Sequence, residues 1–316
     1  ALGSPSCSSG ECTRRQRMDT GLVYEASGPP VFLLVDLPDP THHWQFSSYK
    51  HAGIRASGER MTGYVRGDAG YELLTDGTNF ILHVPNKCIF RITDDTRRVE
   101  AIPLHGTSPA FIGLLAMGTL IATVLLLRGE WPLHASAVCI RGHALAFSGV
   151  SGGGKSTLAA ALCREGCELI SDDLLRWEIR ANHAWAFPGS VSIRLRGPPT
   201  SLGLSDLRET SVDGRYLYRP NSSRRRTVPL STLLIPEIVD GPPPPPSRCA
   251  APQALALLLR QARLPGSSDS VAFRKQAFTR ISNVLRCTDV WLLPLRRGEL
   301  GSVTLARINQ ILDEGP

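Results

Sequence analysis

Between residues 19 and 107 the apolar positions come in short runs, at 31–35, 71–74, 80–84 and 88–92, separated by turn-forming pairs such as Asp76-Gly77 and Pro85-Asn86. Short apolar runs bounded by turn residues predict strands joined as hairpins. The pattern changes at Ser108. That residue and Pro109 form a helix-start signal, an uncharged run fills 110–127, and Arg128-Gly129 closes it. The run predicts a helix of about 27 Å, close to the thickness of a bilayer core. Gly113, Gly118, Thr119 and Thr123 interrupt it and no aromatic belt flanks it. A buried domain helix is therefore expected rather than a membrane span.

Beyond residue 130, strand-like and helix-like segments alternate. Strands are expected at 133–140 and 144–147, around a turn at Arg141-Gly142-His143. They are followed by a helix at 155–164 and a strand at 168–170 ending in Ser171-Asp172-Asp173. The polar, arginine-rich stretch 216–227 reads as a loop, 230–235 as a strand and the proline run 242–246 as a stiff spacer. Helices at 252–262 and 270–285, a strand at 290–293 and a closing helix at 299–312 complete the pattern. Such alternation predicts an α/β core. The expected organisation is a leader over 1–18, a strand-rich N-terminal domain over 19–107 and an α/β domain over 108–316. Residues 1–17 contain no methionine and are rich in Ser, Gly and Arg. They read as a disordered leader or a non-native remnant, with Met18 as the expected native start.

Composition narrows the function classes. The 316 residues are 42% hydrophobic and 20% charged, as in a globular protein. The net charge of +7 comes almost wholly from arginine, since lysine occurs only at 50, 87, 155 and 275. No aromatic-interleaved basic stripe accompanies it, so no nucleic-acid partner is expected. The eight cysteines show no C-x-x-C pair and no zinc spacing, which points to the reducing cytoplasm. Cys163 and Cys167 share a helix face and are expected to pack.

The chemistry is concentrated in Gly149-Val150-Ser151-Gly152-Gly153-Gly154-Lys155-Ser156-Thr157, which fits G-x-x-x-x-G-K-[ST] between a predicted strand and a predicted helix. In that context the glycines let backbone N–H groups approach a phosphate, and the helix adds the positive end of its dipole. Lys155 would bring a full charge to the β- and γ-phosphates, and Ser156 would ligate Mg²⁺. A nucleoside triphosphate is the expected ligand. Asp172 and Asp173 lie seventeen and eighteen residues after Lys155, at a strand end that an α/β sheet brings beside the loop. One acid would take a proton from an attacking hydroxyl and the other would hold Mg²⁺; we assign Asp172 as base and Asp173 as ligand. Either one also suits a helix N-cap. Arg215 and Arg224-Arg225-Arg226 are candidates for a charge clamp or for gripping an acidic substrate. A histidine such as His134, alone on an apolar strand, is by its position a core residue.

Three segments together resemble the HPr serine kinase family: Leu133-His134-Ala135-Ser136-Ala137-Val138, the stretch Phe147–Thr157, and Ile170-Ser171-Asp172-Asp173. They look closest to the HPr-kinase-like serine kinases encoded with lasso-peptide biosynthesis genes. Phe187-Pro188-Gly189, Ile193-Arg194-Leu195 and Leu202-Gly203-Leu204 are similar to those relatives too. The resemblance implies a phosphoenolpyruvate-carboxykinase-like phosphate-loop domain that uses Mg²⁺ and ATP to phosphorylate a serine. It brings His134 into the active site with Gly149, Gly154, Lys155, Ser156, Asp172 and Asp173. The acceptor it implies is a peptide, the C-terminal residue of a lasso precursor. The glycine-rich signature that HPr kinases carry after the acidic pair is missing here, so neither HPr as substrate nor the reverse phosphorylase activity is expected. Two alternatives stay open. One is a small-molecule hydroxyl kinase, acting on free serine or a polyol; the other is a nucleotide-gated binding module without catalysis. A homo-oligomer is compatible with any of them.

Overall fold

The computed structural model describes residues 14–18, 21–25, 32–36, 43–45, 62–64, 71–75, 78–96, 99–104, 106–197, 209–261, 271–296 and 302–314. Strands β1 (Arg14–Met18), β2 (Gly21–Glu25), β3 (Phe32–Asp36) and β4 (His43–Gln45) pair antiparallel in that order. The last five residues of the segment read as a leader, 14–18, thus form a strand. A ladder is made by backbone N–H and C=O groups, which an arginine-rich composition does not remove. Residues 1–13 lie outside the described residues.

A second antiparallel sheet runs β5 (Thr62–Tyr64), β6 (Tyr71–Thr75), β7 (Asn79–Val84), β8 (Cys88–Thr93) and β9 (Val99–Pro103). The expected turn at Pro85-Asn86 is present: Asn86 takes φ 58° and Lys87 N–H bonds Val84 C=O at 3.1 Å. The turn expected at Asp76-Gly77 lies outside the described residues. β8 alternates, burying Cys88, Phe90 and Ile92.

The apolar run forms one helical segment, Pro109–Leu127, long and apolar enough by composition to cross a membrane. Ser108 Oγ accepts the Phe111 N–H at 3.3 Å and Pro109 occupies the first turn, as the sequence predicts. The segment has three parts: α1 (Pro109–Leu115), a π-helical stretch (Ala116–Leu120) and α2 (Ile121–Leu127). In the middle part Ile121 N–H reaches back to Ala116 C=O, a five-residue step. Ile112, Ala116, Leu120, Val124 and Leu125 share one apolar cluster with Leu82, Phe90, Ile92 and Val99 of the second sheet. By packing, then, this helix belongs with the strands that precede it. Leu174, next to the acidic pair, packs on the same cluster.

The rest is a mixed α/β layer structure. Its eight-stranded sheet contains β10 (Ala135–Ile140), β11 (His143–Ser148), β12 (Glu168–Ser171), β13 (Trp177–Arg180), β14 (His183–Ala186), β17 (Val228–Val239), β18 (Ser247–Arg248) and β19 (Asp289–Arg296). The order is β12-β10-β11-β17-β14-β13, with β19 on β17 and β18 on β19. β15 (Ile193–Leu195) pairs separately with β16 (Tyr216–Tyr218), so the stretch read as a loop begins as a strand. The hairpin β13–β14 has no turn signature in the sequence; Ala181 and Asn182 make its two-residue turn with φ of 46° and 62°.

Helices cover both faces. α4 (Ala251–Gln261) and α5 (Val271–Leu285) lie on the face of Ala135, Ala137, Ala144 and Ala146. α3 (Lys155–Arg164) and α6 (Ser302–Glu314) lie on the face of Val138, Leu145 and Phe147. Small residues on one face and large ones on the other follow the period-two alternation of each strand. Burial pushes the Cys163 thiol up to about 12, in line with a packing role. β11, β12, β17 and β19 all point the same way, while β10 runs against them between β12 and β11. The ends of β11 and β12 and the start of β10 therefore meet at one rim.

Candidate active site at the rim of the central sheet

At that rim β11 runs into the glycine loop, which turns directly into α3. Gly154 precedes the first helical residue with φ 89°, a conformation that L side chains rarely adopt. Gly153 is tightly placed: a Cβ there would stand 3.1 Å from Val150 C=O, so that carbonyl would have to shift. Lys155, only 6% exposed, folds back over the loop and donates to Gly149 C=O at 2.8 Å and Val150 C=O at 3.0 Å. The helix start, its dipole and this amine face a cavity of about 310 Å³.

The two aspartates have different surroundings. Asp172 is 5% exposed. Its Oδ1 accepts from Ser136 Oγ at 2.6 Å and Ser156 Oγ at 2.8 Å, and its Oδ2 accepts the Arg194 N–H at 3.0 Å. Burial raises its pKa above the usual carboxylate range; those three donors oppose the rise and Asp173 adds to it. Asp173 takes φ 72°, left-handed backbone that Asp tolerates and that recurs at functional sites. The turn directs its carboxylate into the cavity, where Oδ1 stands 3.2 Å from His134 Nδ1 and Oδ2 stands 3.1 Å from Arg194 Nη2. His134 Nδ1 also lies 2.8 Å from Asp173 C=O. Adjacent residues at a strand end point to opposite sides, so one acid turns in toward Ser156 and the other out to the cavity.

Most residues singled out from the sequence meet here. Ser151, Gly152, Gly154, Lys155, Ser156, Thr157, His134, Asp173 and Arg215 line the cavity, while Gly149 and Gly153 shape the loop behind it. Arg224, Arg225 and Arg226 do not line it. Arg224 pairs with Glu168 at 2.9 Å, at the opposite end of β12 from the acids, because 222–224 runs along that strand's edge.

Sequence reasoning missed four contributors. Ser136 bridges Asp172 and Ser156; Arg196 Nη2 holds Ser151 Oγ at 2.8 Å. Arg194 joins Asp173 to Asp213, which also pairs with Arg215 at 3.2 Å. Burial alone would raise Asp213, but Ser211, Arg194 and Arg215 together hold it below the usual range. Arg194 sat inside a motif already singled out, and its alternation between buried Ile193 and Leu195 was the available signal.

Among solved structures the chain is similar to the Hpr(Ser) kinase/phosphatase from Coxiella burnetii, at 17% identity, over 58% of this chain and 99% of that one, with a TM-score of 0.33. No family model matches the chain, and no curated protein matches it.

The donor set fits a hard divalent cation. Asp172 and Ser156 offer oxygen ligands 2.8 Å apart, and the buried carboxylate meets only two hydroxyls and an amide N–H, none of which carries charge. Among the described residues no group of three His, Cys, Asp or Glu side chains could hold a metal. A protein share of one carboxylate and one hydroxyl suits Mg²⁺, which keeps several waters and phosphate oxygens as its remaining ligands.

Proposed function

We propose that this chain is an Mg²⁺- and ATP-dependent kinase of HPr-kinase-like fold that phosphorylates a serine hydroxyl on a peptide or protein. The acceptor we propose is the C-terminal residue of a lasso precursor, and the setting is the cytoplasm. One observation carries the reading. A helix-starting glycine loop with its lysine opens on the same cavity as an Asp–His pair, beside a buried carboxylate linked to the loop serine. The motif resemblance supports the acceptor class and ATP.

In this reading the roles of the acids are reversed from the sequence assignment. Asp172, turned inward onto Ser156, would hold a Mg²⁺ together with it, and such an ion would supply neutralisation of phosphate charge. Asp173, open to the cavity, accepts the proton of the attacking hydroxyl while His134 and Arg194 orient its carboxylate. The hydroxyl oxygen bonds the γ-phosphorus, the bond from that phosphorus to the bridging oxygen breaks, and ADP leaves. Lys155 and the α3 N-terminus meet the developing charge. Arg194, Arg196 and Arg215 supply the cationic wall.

The test is phosphotransfer followed by mass spectrometry, with Mg·ATP and a panel of serine-ended peptides, HPr, free serine and polyols. A gain of about 80 Da on a peptide is expected. Asp173→Asn should lower kcat by about 10²–10⁴ with ATP affinity retained, and Asp172→Asn should weaken Mg²⁺ binding, so that more Mg²⁺ is needed for turnover. Transfer to a polyol alone would make the protein a small-molecule kinase. ATP binding with no ADP formed would make it a binding module.

A further inference from the structure

We propose that Ser136 is a positioning residue for the Mg²⁺ site: its hydroxyl fixes the Asp172 carboxylate so that the Ser156 lone pairs stay available to the ion. The inference rests on the Mg²⁺–nucleotide part of the proposed function. Ser136 lies in β10 between Ala135 and Ala137 and is wholly buried. Val138, two residues on along the same face of the strand, packs with Phe147 and Leu158 beneath α3. By that pattern position 136 suits an apolar residue, and a buried hydroxyl there requires a partner. Strand register supplies one. β10 and β12 are antiparallel with Ala137 opposite Ser171, so residues before Ala137 run beside those after Ser171. His134 accordingly meets Asp173, and Ser136 meets Asp172.

The protons decide what this contact does. A hydroxyl has one proton and two lone pairs. Ser156 Oγ gives its proton to Asp172 Oδ1 at 2.8 Å, which leaves its lone pairs for a ligand in the cavity that Ser156 lines. Ser136 Oγ stands 3.4 Å from Ser156 Oγ, close enough to compete for them. Its own proton, however, goes to the same Oδ1 at 2.6 Å. The Arg194 N–H holds Oδ2 at 3.0 Å, so the carboxylate is fixed at both oxygens. Without Ser136, Oδ1 keeps only the bond from Ser156. The terminal torsion of an aspartate is broad, so the carboxylate could then turn and release the Ser156 proton. Partners that orient a metal ligand commonly carry about 10–100-fold in metal affinity.

The experiment measures the Kd of a non-hydrolysable ATP analogue by titration calorimetry, with Mg²⁺ and in chelator, for wild type, Ser136→Ala and Ser136→Cys. The tightening of the analogue by Mg²⁺ is the readout, and it needs no phosphotransfer. Ser136→Ala should lose at least about tenfold of that tightening, while its Kd in chelator stays within about twofold of wild type. Ser136→Cys, close in volume but a weak donor, should behave alike, and it decides if the alanine variant fails to fold. The Mg²⁺ concentration for half-maximal turnover should rise in step. An unchanged Mg²⁺ response, or an equal loss with and without Mg²⁺, would make the hydroxyl a packing element; the inference would be overturned and the kinase reading would stand. Analogue binding by wild type that ignores Mg²⁺ would remove the inference together with the metal's role. No transfer to any acceptor, with the Mg²⁺ response intact and lost in the variants, would overturn the kinase reading alone.

Discussion

At the rim where β11 and β12 end, Lys155 and Asp172 are nearly buried, and His134, Lys155, Ser156 and Asp173 border one cavity of about 310 Å³. At the opposite rim, where β10 turns into β11, a larger cavity of about 470 Å³ is lined by Arg141, His143, His183, Arg286 and Asp289. Its charges stand in solvent: Arg141 and Asp313 pair at 2.6 Å but are 57% and 63% exposed. Such pairs contribute little and are screened by salt. Volume therefore does not locate the chemistry. Charge held out of water does, because a desolvated carboxylate or amine interacts strongly with whatever enters.

The comparison can be broken at several points. After Asp173→Asn, Lys155→Ala should have the largest effect, lowering ATP-dependent turnover by about 10²–10³ as expected for one preorganised charge; a variant that still turns over in a coupled ADP assay would show that the loop is only structural. Gly189→Ala comes next. Its Cβ would stand 2.1 Å from Ser171 Oγ and 2.9 Å from Ser171 Cβ, at the end of the acidic strand. Overpacking of this kind should cost about 1–3 kcal/mol in denaturant unfolding.

Asp172 sharpens the comparison through pH. Its pKa is raised in the folded protein by burial, so its contribution to stability is full below about pH 4 and is lost as pH rises through the raised value. In chelator, Asp172→Asn should therefore flatten the melting profile above that range and melt no lower than wild type at neutral pH. Added Mg²⁺ should raise the wild-type melting temperature more than the variant's. A wild type more stable than the variant at neutral pH without metal would mean that the buried carboxylate is not destabilising. The smallest effect belongs to the other rim: Arg141→Ala should cost under about 1 kcal/mol and leave ATP affinity unchanged by titration calorimetry.

The glycine loop, its helix and the nearby strand were legible because each depends on residues close in sequence. Helix α3 begins and ends at the expected residues, Lys155 and Arg164. The hairpin at Ala181-Asn182 was not legible, since two non-glycine residues adopt left-handed backbone there under the pull of the flanking ladder. Nor was Arg194: composition drew attention to Arg215 and to 224–226, whereas pairing of β15 with β16 brought Arg194 to Asp173 and Asp213, the latter also paired with Arg215.

By itself, then, the sequence determined where a phosphate-binding turn could form and which strand end would carry carboxylates, because glycine placement, helix onset and apolar runs act over a few residues. Only the tertiary structure decided which aspartate turns inward to Ser156 and which faces the cavity with His134. It also decided that a glycine of the 109–127 helix, 55 residues before Asp173, would stand beside it. Those outcomes depend on strand register, a left-handed turn and the packing of a helix against a distant sheet, and none of these is encoded in the spacing of neighbouring residues.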